Sequence, residues 1–181
     1  MRTLKKTLCL VLCLAMMAGL CVFASADFKD QDKVKNEEAV AVLTGIGVIQ
    51  GDDKGNFNPE GTLTRAEATV IITKLLGAAD IKATTDKFTD VKADYWGMPY
   101  IAYCVAEGVV AGMGDGTFAP ENNITREEFA TMLARYAQKY GNYTAGSAAD
   151  FAAYGDASAV DSWAAEYVAW AVKGGYMGKN T

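Results

Sequence analysis

The sequence predicts a mainly α-helical protein built from repeated helix–loop–helix units. Residues 36–77, moved forward by 61 positions, fall on residues 97–138, and ten of the pairs that start between residues 47 and 67 are identical. A fixed period of this length is typical of stacked units that bury a hydrophobic core together. In the first copy, the identical residues are Gly47, Val48, Gly51, Gly55, Phe57, Pro59, Glu60, Thr64, Arg65 and Glu67.

The first helix of a unit is clearest in the second copy. It is predicted to begin at Asp94 or Tyr95 and to end at Gly108, because glycine suits the left-handed conformation of a helix stop. Apolar residues at helical spacing indicate the face that it buries. They are Trp96, Tyr100, Ile101, Cys104 and Val105.

The second helix of a unit follows a glycine-rich loop at 112–116. Its start is a capping box, in which Thr125 and Glu128 satisfy each other's backbone N–H groups, and Thr64 and Glu67 repeat this pattern in the first copy. Apolar residues behind the caps predict one buried face on each second helix. They are Phe129, Met132, Leu133 and Tyr136, and in the first copy Ala68, Ile71, Ile72 and Leu75.

A third copy begins at Tyr154-Gly155-Asp156, and Trp163 corresponds to Trp96. No second helix of this copy follows before Thr181. We therefore expect its first helix to leave an apolar stripe uncovered, which favours association or fraying. The stripe consists of Val168, Ala171 and Val172.

The composition excludes several classes of protein. The 181 residues contain no histidine, which excludes Ser-His-Asp and Cys-His catalytic sites and zinc sites with histidine ligands. A net charge of −5 argues against a protein that binds duplex DNA. The acidic segment 52–56 lacks the alternating ligands and distal glutamate of an EF-hand. We therefore expect no catalytic residues, no metal, no cofactor and no nucleic-acid partner.

The first 26 residues have the order of a secretory signal. Three basic residues precede an apolar run from 8 to 24, and Ala24-Ser25-Ala26 ends the segment. This order predicts export and cleavage before Asp27, with a transmembrane anchor as the alternative. After cleavage no membrane span is expected. Cys104 would then be the only cysteine, in apolar surroundings that predict a buried, unreactive thiol.

These motifs, taken in order, resemble the S-layer homology repeat. The second copy carries Phe88-Thr89-Asp90, Trp96, Gly114-Asp115-Gly116-Thr117-Phe118-Ala119-Pro120 and Thr125-Arg126-Glu127-Glu128. The resemblance implies repeats around a pseudo-threefold axis, with the third repeat incomplete here. It also implies that grooves between repeats bind a peptidoglycan-linked secondary wall polysaccharide, often carrying ketal-linked pyruvate. Such binding anchors exported proteins to the cell wall without a covalent bond.

The resemblance and the spacing together divide the chain into segments. We expect a signal peptide at 1–26, a first repeat at 27–81, a linker at 82–87, a second repeat at 88–140, a linker at 141–150 and a partial third repeat at 151–181.

Two arginines are the first candidates for ligand binding. Arg65 and Arg126 each occupy the first position of a second helix, where a guanidinium beside free backbone N–H groups suits a pyruvyl carboxylate. The alternative is a structural arginine that pairs with Asp30, Asp90 or Asp156 of a neighbouring repeat.

The other candidate carbohydrate-binding residues are Trp96, Trp163, Asp90, Asp156, Gly51 and Gly112. The tryptophans are suited either to stacking on a sugar or to packing in the core. The aspartates are better suited to helix caps or contacts between repeats than to ligand binding. The glycines either let a ligand approach the backbone or permit a turn, and the turn fits better.

The sequence thus predicts an exported, non-enzymatic module that binds wall polysaccharide. Two alternatives remain open at this point. One is a self-assembling surface-layer protein whose repeats contact neighbouring surface-layer subunits. The other is the N-terminal anchor of a longer wall-acting hydrolase.

Overall fold

A computed structural model describes residues 28–78, 80–141 and 143–178. Across these ranges the protein is mainly α-helical and contains no β-strand, which confirms the predicted fold class. The helices are α1 (Glu37–Gly45), α2 (Arg65–Leu75), α3 (Met98–Ala106), α4 (Arg126–Tyr140) and α5 (Ala165–Lys173). The predicted signal at 1–26 lies outside the described residues. The pseudo-threefold arrangement and the segment boundaries stay predictions.

The chain forms two compact units, which meet in sequence between Gly61 and Thr62. The described part of the first unit contains a 3₁₀ turn at Gln31–Lys33, the helix α1 and the loop that follows it. Its small core consists of Phe28, Val34 and Val40, with Phe57 packed against them.

The second unit contains α2 to α5 and two hydrophobic clusters. In the first cluster α2 packs against α3, and Phe118 from the following loop is fully buried among them. In the second cluster α4 packs against α5, together with Phe151. Both predicted capping boxes are present, because Thr64 and Thr125 each accept a hydrogen bond from the N–H of the glutamate three residues on.

Helix α4 belongs to both clusters, which the single predicted apolar face did not foresee. Met132 is buried in the cluster with α2 and α3. Ala130 and Ala134 are buried in the cluster with α5. Small residues on this second face let the α5 backbone approach closely. The periodicity of large apolar residues did not predict this face, because alanine is a weak indicator of burial.

The expectation of an uncovered stripe on the third copy is wrong. Val168 and Ala171 are buried, and Val172 is half-buried. The reason is that α4, the second helix of the preceding copy, covers α5. A helix need not be covered by a partner from its own repeat.

The start of the second copy's first helix is also corrected. Helix α3 begins at Met98 with Gly97 as its N-cap and a proline in its first turn. Trp96 therefore lies before the helix, and its side chain is not part of the helical stripe. The predicted stop is confirmed, since Gly108 has φ of +73° directly after the helix.

Candidate functional site

A groove of about 540 Å³ lies along α4 in the second unit. We call it the α4 groove. It brings together three of the predicted site residues, Arg65, Gly112 and Trp163. Its other lining residues include Glu127, Arg135, Asp161 and Tyr167. The α4 groove is therefore built mainly from the loop and second helix of the second copy and from the opening of the third copy, with Arg65 contributed by the first copy.

Trp163 stands at the edge of the α4 groove, directly before α5. Its side chain is 51% exposed, so the indole is a surface group and not a core residue. The indole Nε1 donates a hydrogen bond of 3.0 Å to Asp161 Oδ2. The Asp161 backbone N–H donates in turn to Glu127 Oε2 at 3.0 Å. These bonds hold the indole while its apolar surface stays exposed.

Arg135 is a groove residue that the sequence analysis missed. Its guanidinium carbon lies 5.5 Å from the centre of the Tyr167 ring, a cation–π contact. Within the described ranges no carboxylate forms an ion pair with it. A signal was present, because Lys74 occupies the corresponding position in the first copy. A basic residue at the same position in two copies is a weak signal, because lysine and arginine are common on exposed helix faces.

Arg65 also lines the α4 groove, but its guanidinium is already bound to other groups of the protein. The residue is only 5% exposed. Its Nη1 lies 2.6 Å from Glu128 Oε1, and its Nε donates to the Phe118 carbonyl at 2.9 Å. The guanidinium carbon also lies 4.9 Å from the centre of the Phe118 ring. The structural alternative for Arg65 is favoured, although its acid partner is Glu128 and none of the three aspartates considered.

Arg126 occupies the corresponding position in the second copy with a different environment. It is exposed, and its Nη2 donates to the Gly178 carbonyl at 2.8 Å. It lies at the rim of a second cavity of about 540 Å³, which also contains Asp156. We call this the Asp156 cavity. Its apolar lining comes from Phe151, Tyr154, Val160, Val168, Val172 and Met177.

Asp90 holds the loop of its own repeat in place. Its carboxylate accepts hydrogen bonds from the Phe118 N–H at 2.9 Å and the Ala119 N–H at 2.7 Å. This role is neither a helix cap nor a contact between repeats.

Trp96 lies outside both cavities, 53% exposed, with its ring centre 5.4 Å from that of Tyr95. Its exposure is compatible with stacking on a sugar and not with a core role.

Gly51 and Gly112 are in the left-handed region, with φ of +71° and +86°. A Cβ atom on Gly51 would lie 2.5 Å from Phe28 Cε1 and 2.6 Å from the Asn56 carbonyl oxygen. A Cβ atom on Gly112 would meet Phe88 and the Thr117 carbonyl in the same way. Glycine is thus required by the turn and by the aromatic ring beneath it, which favours the turn interpretation at both positions.

Other kinds of site find no support in the part of the chain that the structure describes. There, no cluster of three or more cysteine, aspartate or glutamate side chains is arranged to hold a metal ion. The helices in the same ranges are too short or too polar to cross a bilayer.

Comparison with known proteins bears directly on these motifs. The S-layer homology domain model matches residues 27–69 and 87–130. A surface-layer 125 kDa protein of Lysinibacillus sphaericus is 39% identical over 159 residues, which are 86% of this chain and 13% of that protein. A cellulosome-anchoring protein of Acetivibrio thermocellus is 39% identical over 102 residues, 55% of this chain and 23% of that protein.

A third relative, S-layer protein EA1 of Bacillus anthracis, is 34% identical over 133 residues, 71% of this chain and 15% of that protein. The chain therefore spans less than a quarter of the length of each of these relatives. The matched segments contain both capping boxes and both aromatic-x-Asp openings. Through these two repeats the chain belongs to the S-layer homology family.

Proposed function

We propose that this chain is an exported module that attaches to the bacterial cell surface by binding wall polysaccharide noncovalently in the α4 groove. One observation carries the proposal: the open groove combines a half-exposed indole with a guanidinium that no carboxylate neutralises among the described residues. The printed names of the relatives, a cellulosome-anchoring protein and two surface-layer proteins, support a surface location and an anchoring role.

Separate groups of the α4 groove suit a sugar ring, its hydroxyl groups and one carboxylate. The Trp163 ring offers an apolar face to the C–H groups of a pyranose. Arg135 would donate two parallel hydrogen bonds to a carboxylate, such as that of ketal-linked pyruvate. Asp161 and Glu127, which already position the indole, have lone pairs left for sugar hydroxyl groups.

The eight predicted site residues then divide by role. Arg65, Asp90 and Gly112 support the site by maintaining the loop and helix starts around it, whereas Gly51 maintains a turn of the first unit. Trp163 contacts the polymer in the α4 groove. Trp96, which precedes α3 as Trp163 precedes α5, serves a second binding position, and Arg126 and Asp156 belong to the Asp156 cavity.

Calorimetry against purified wall polysaccharide tests this assignment. Trp163→Ala and Arg135→Ala should each weaken binding by about 1.5–3 kcal/mol, roughly ten- to a hundredfold. Removal of the pyruvate should reproduce the Arg135→Ala loss and leave no further loss in that variant. Lys139→Ala is the control for charge, because it removes one positive charge from the same helix outside the groove, together with the ion pair to Glu107.

Binding by Arg135→Ala equal to that of Lys139→Ala, with the fold intact, would contradict the assignment of the guanidinium. Arg126→Ala and Trp96→Ala extend the test to the other predicted residues. A loss in Trp96→Ala that adds to that in Trp163→Ala would indicate two separate binding positions.

A surface-layer subunit is the second candidate, favoured by the names of two relatives. Sedimentation of the protein with cell walls, before and after removal of the polysaccharide, separates the two. An anchoring module loses binding when the polysaccharide is removed, whereas a self-assembling subunit still forms ordered arrays without any wall. The hydrolase alternative depends on a further domain and does not change the role of these repeats.

A further inference from the structure

The second helix of the second copy begins with an acid that the first copy lacks. The sequence is Thr64-Arg65-Ala66-Glu67 in the first copy and Thr125-Arg126-Glu127-Glu128 in the second, so Glu127 corresponds to Ala66. Ala66 is fully buried, and a Cβ atom on Gly97 would lie 3.4 Å from its Cβ. The opening of the second copy thus packs on this alanine and leaves no room for a longer side chain. Glu127 is half-buried and lines the α4 groove.

The Glu127 carboxylate holds the opening of the third copy. Its Oε2 accepts a hydrogen bond of 3.0 Å from the Asp161 backbone N–H. The Asp161 carbonyl accepts a second bond, of 2.9 Å, from the N–H of Ala164, which is fully buried directly before α5. The Asp161 Oδ2 atom accepts a third bond, of 3.0 Å, from the Trp163 indole. Asp161 is therefore fixed by α4 on one side and by the start of α5 on the other, and it fixes the indole.

The indole of the second copy is held in a different way. The Trp96 ring centre lies 5.4 Å from that of Tyr95, and the Tyr95 hydroxyl donates to Glu121 Oε1 at 2.6 Å. Glu121 belongs to the loop of the same copy, so this support does not come from a neighbouring repeat. The third copy has Ser162 at the position of Tyr95 and offers no ring there for the indole to pack on. Support of Trp163 from the preceding copy takes the place of that ring.

We propose that Glu127 is a positioning residue for polysaccharide binding, an inference that rests on the proposed role of the α4 groove. Glu127 acts through Asp161, and it keeps the Trp163 ring in the orientation in which its face meets the sugar. A side chain that is ordered before binding avoids the entropy cost of ordering, which corresponds to about two- to tenfold in affinity. Binding by the indole of the third copy thus depends on a residue of the second copy.

The charge of Glu127 distinguishes this role from a purely electrostatic one. If charge alone mattered, removal of the carboxylate would strengthen the binding of an anionic polymer. Loss of positioning has the opposite sign, so Glu127→Ala should bind the polysaccharide about two- to tenfold more weakly. Glu127→Gln keeps an acceptor for the Asp161 N–H and should bind at least as tightly as the parent. Alanine is compatible with this helix position, because Ala66 occupies it in α2.

NMR of the full ¹⁵N-labelled chain without any polymer tests the positioning by itself. The 3 tryptophans of the chain give separate indole N–H signals. In Glu127→Ala the heteronuclear NOE of the Trp163 indole should fall and its shift should move, and Glu127→Gln should restore the NOE. Glu121→Ala is the matched control, because it removes one carboxylate from the same copy and should change only the Trp96 signal. An unchanged Trp163 signal in Glu127→Ala would overturn the proposal.

Calorimetry against purified wall polysaccharide tests the consequence for binding. Glu127→Ala should cost less affinity in a Trp163→Ala background than in the parent, because its effect passes through the indole. Equal losses in the two backgrounds would overturn the inference. So would parent-like binding by Glu127→Ala when Trp163→Ala binds more weakly, and either result would leave the proposed function intact. Parent-like binding by Trp163→Ala would instead contradict the proposed function itself, and this inference with it.

Discussion

Arg65 and Arg126 occupy the same position in two copies of one repeat, and their environments predict opposite consequences of replacement. Arg65 is buried and bonded to Glu128 and to the Phe118 carbonyl. Arg126 is exposed and donates to a carbonyl near the end of the described chain. We expect Arg65→Ala to lower the free energy of unfolding of the second unit strongly and Arg126→Ala to lower it little.

The magnitude follows from what each substitution leaves behind. Without Arg65, the Glu128 side chain, which is 16% exposed, loses its cation, and the Phe118 carbonyl loses its donor. Removing one partner of a buried ion pair costs about 3–5 kcal/mol. Arg126→Ala removes contacts of an exposed side chain, and a surface hydrogen bond contributes about 1 kcal/mol or less. The two variants should therefore differ by at least about 2 kcal/mol.

A double variant separates loss of the pair from loss of packing. Arg65→Met combined with Glu128→Gln removes both charges, and glutamine retains the reciprocal bond of the capping box. Replacing a buried pair by groups of similar volume is often close to neutral. The double variant should accordingly recover the part of the lost stability that comes from the unpaired Glu128 charge, while the Phe118 carbonyl still lacks its donor.

Urea unfolding followed by tryptophan fluorescence measures these effects in the correct part of the molecule. All 3 tryptophans, Trp96, Trp163 and Trp170, lie after Thr62 and therefore report on the second unit. Circular dichroism of the native state establishes that each variant folds. A loss below about 1 kcal/mol in Arg65→Ala, or equal losses in both alanine variants, would refute the reasoning that burial distinguishes the two arginines.

Three further predictions concern other features of the fold. Gly146→Ala should destabilise the second unit by about 1–3 kcal/mol in the same urea assay. The reason is that the added Cβ would lie 2.6 Å from the Trp170 backbone nitrogen, which cannot move aside as a flexible side chain could. Gly155→Ala, whose Cβ would point into open space, is the control. Burial raises the pKa of Cys104 to about 11, so peptide mapping after alkylation at pH 8 should find Cys104 modified only when urea is present. The Phe57 N–H bond lowers the pKa of Asp30 from its ordinary 3.8, so this carboxylate stabilises the loop above that pH and ceases to do so as pH falls through the lowered value. The midpoint at which the Phe57 amide shift changes should therefore lie below pH 3.8, and a midpoint at or above 3.8 would contradict this.

The capping boxes and the helix stops could be predicted from sequence because they depend on local chemistry. Thr125 and Glu128 satisfy each other within one turn, and Gly108 needs only its own φ. The start of α3 could not be placed in this way, because Tyr95 and Trp96 are apolar and extend the helical pattern beyond the helix. The Tyr95 hydroxyl donates to Glu121 in the following loop, a contact that no periodicity reveals.

The candidate site likewise contains residues that the sequence could identify and residues whose role only the fold reveals. Sequence identified Arg65 and Arg126 as equivalent, and only the fold distinguishes them, since the partner Glu128 lies 63 residues from Arg65. Arg135 was missed because one guanidinium on a polar helix face resembles many others, and its relation to Tyr167 depends on how α4 and α5 pack. Residues whose role depends on a second repeat are the ones that sequence reasoning assigned least well.

The arrangement of α2 has a consequence for how fragments of this protein should be cut. A fragment that begins at the second repeat's sequence boundary, residue 88, would lack Ala66, Ala68 and Ile72, which are fully buried against α3 and the Phe118 loop. It would expose Ile101 and Cys104 to water and leave Glu128 without Arg65. A fragment that begins at Thr62 keeps all of these contacts, so the unit that duplicates in the sequence and the unit that folds are offset by one helix.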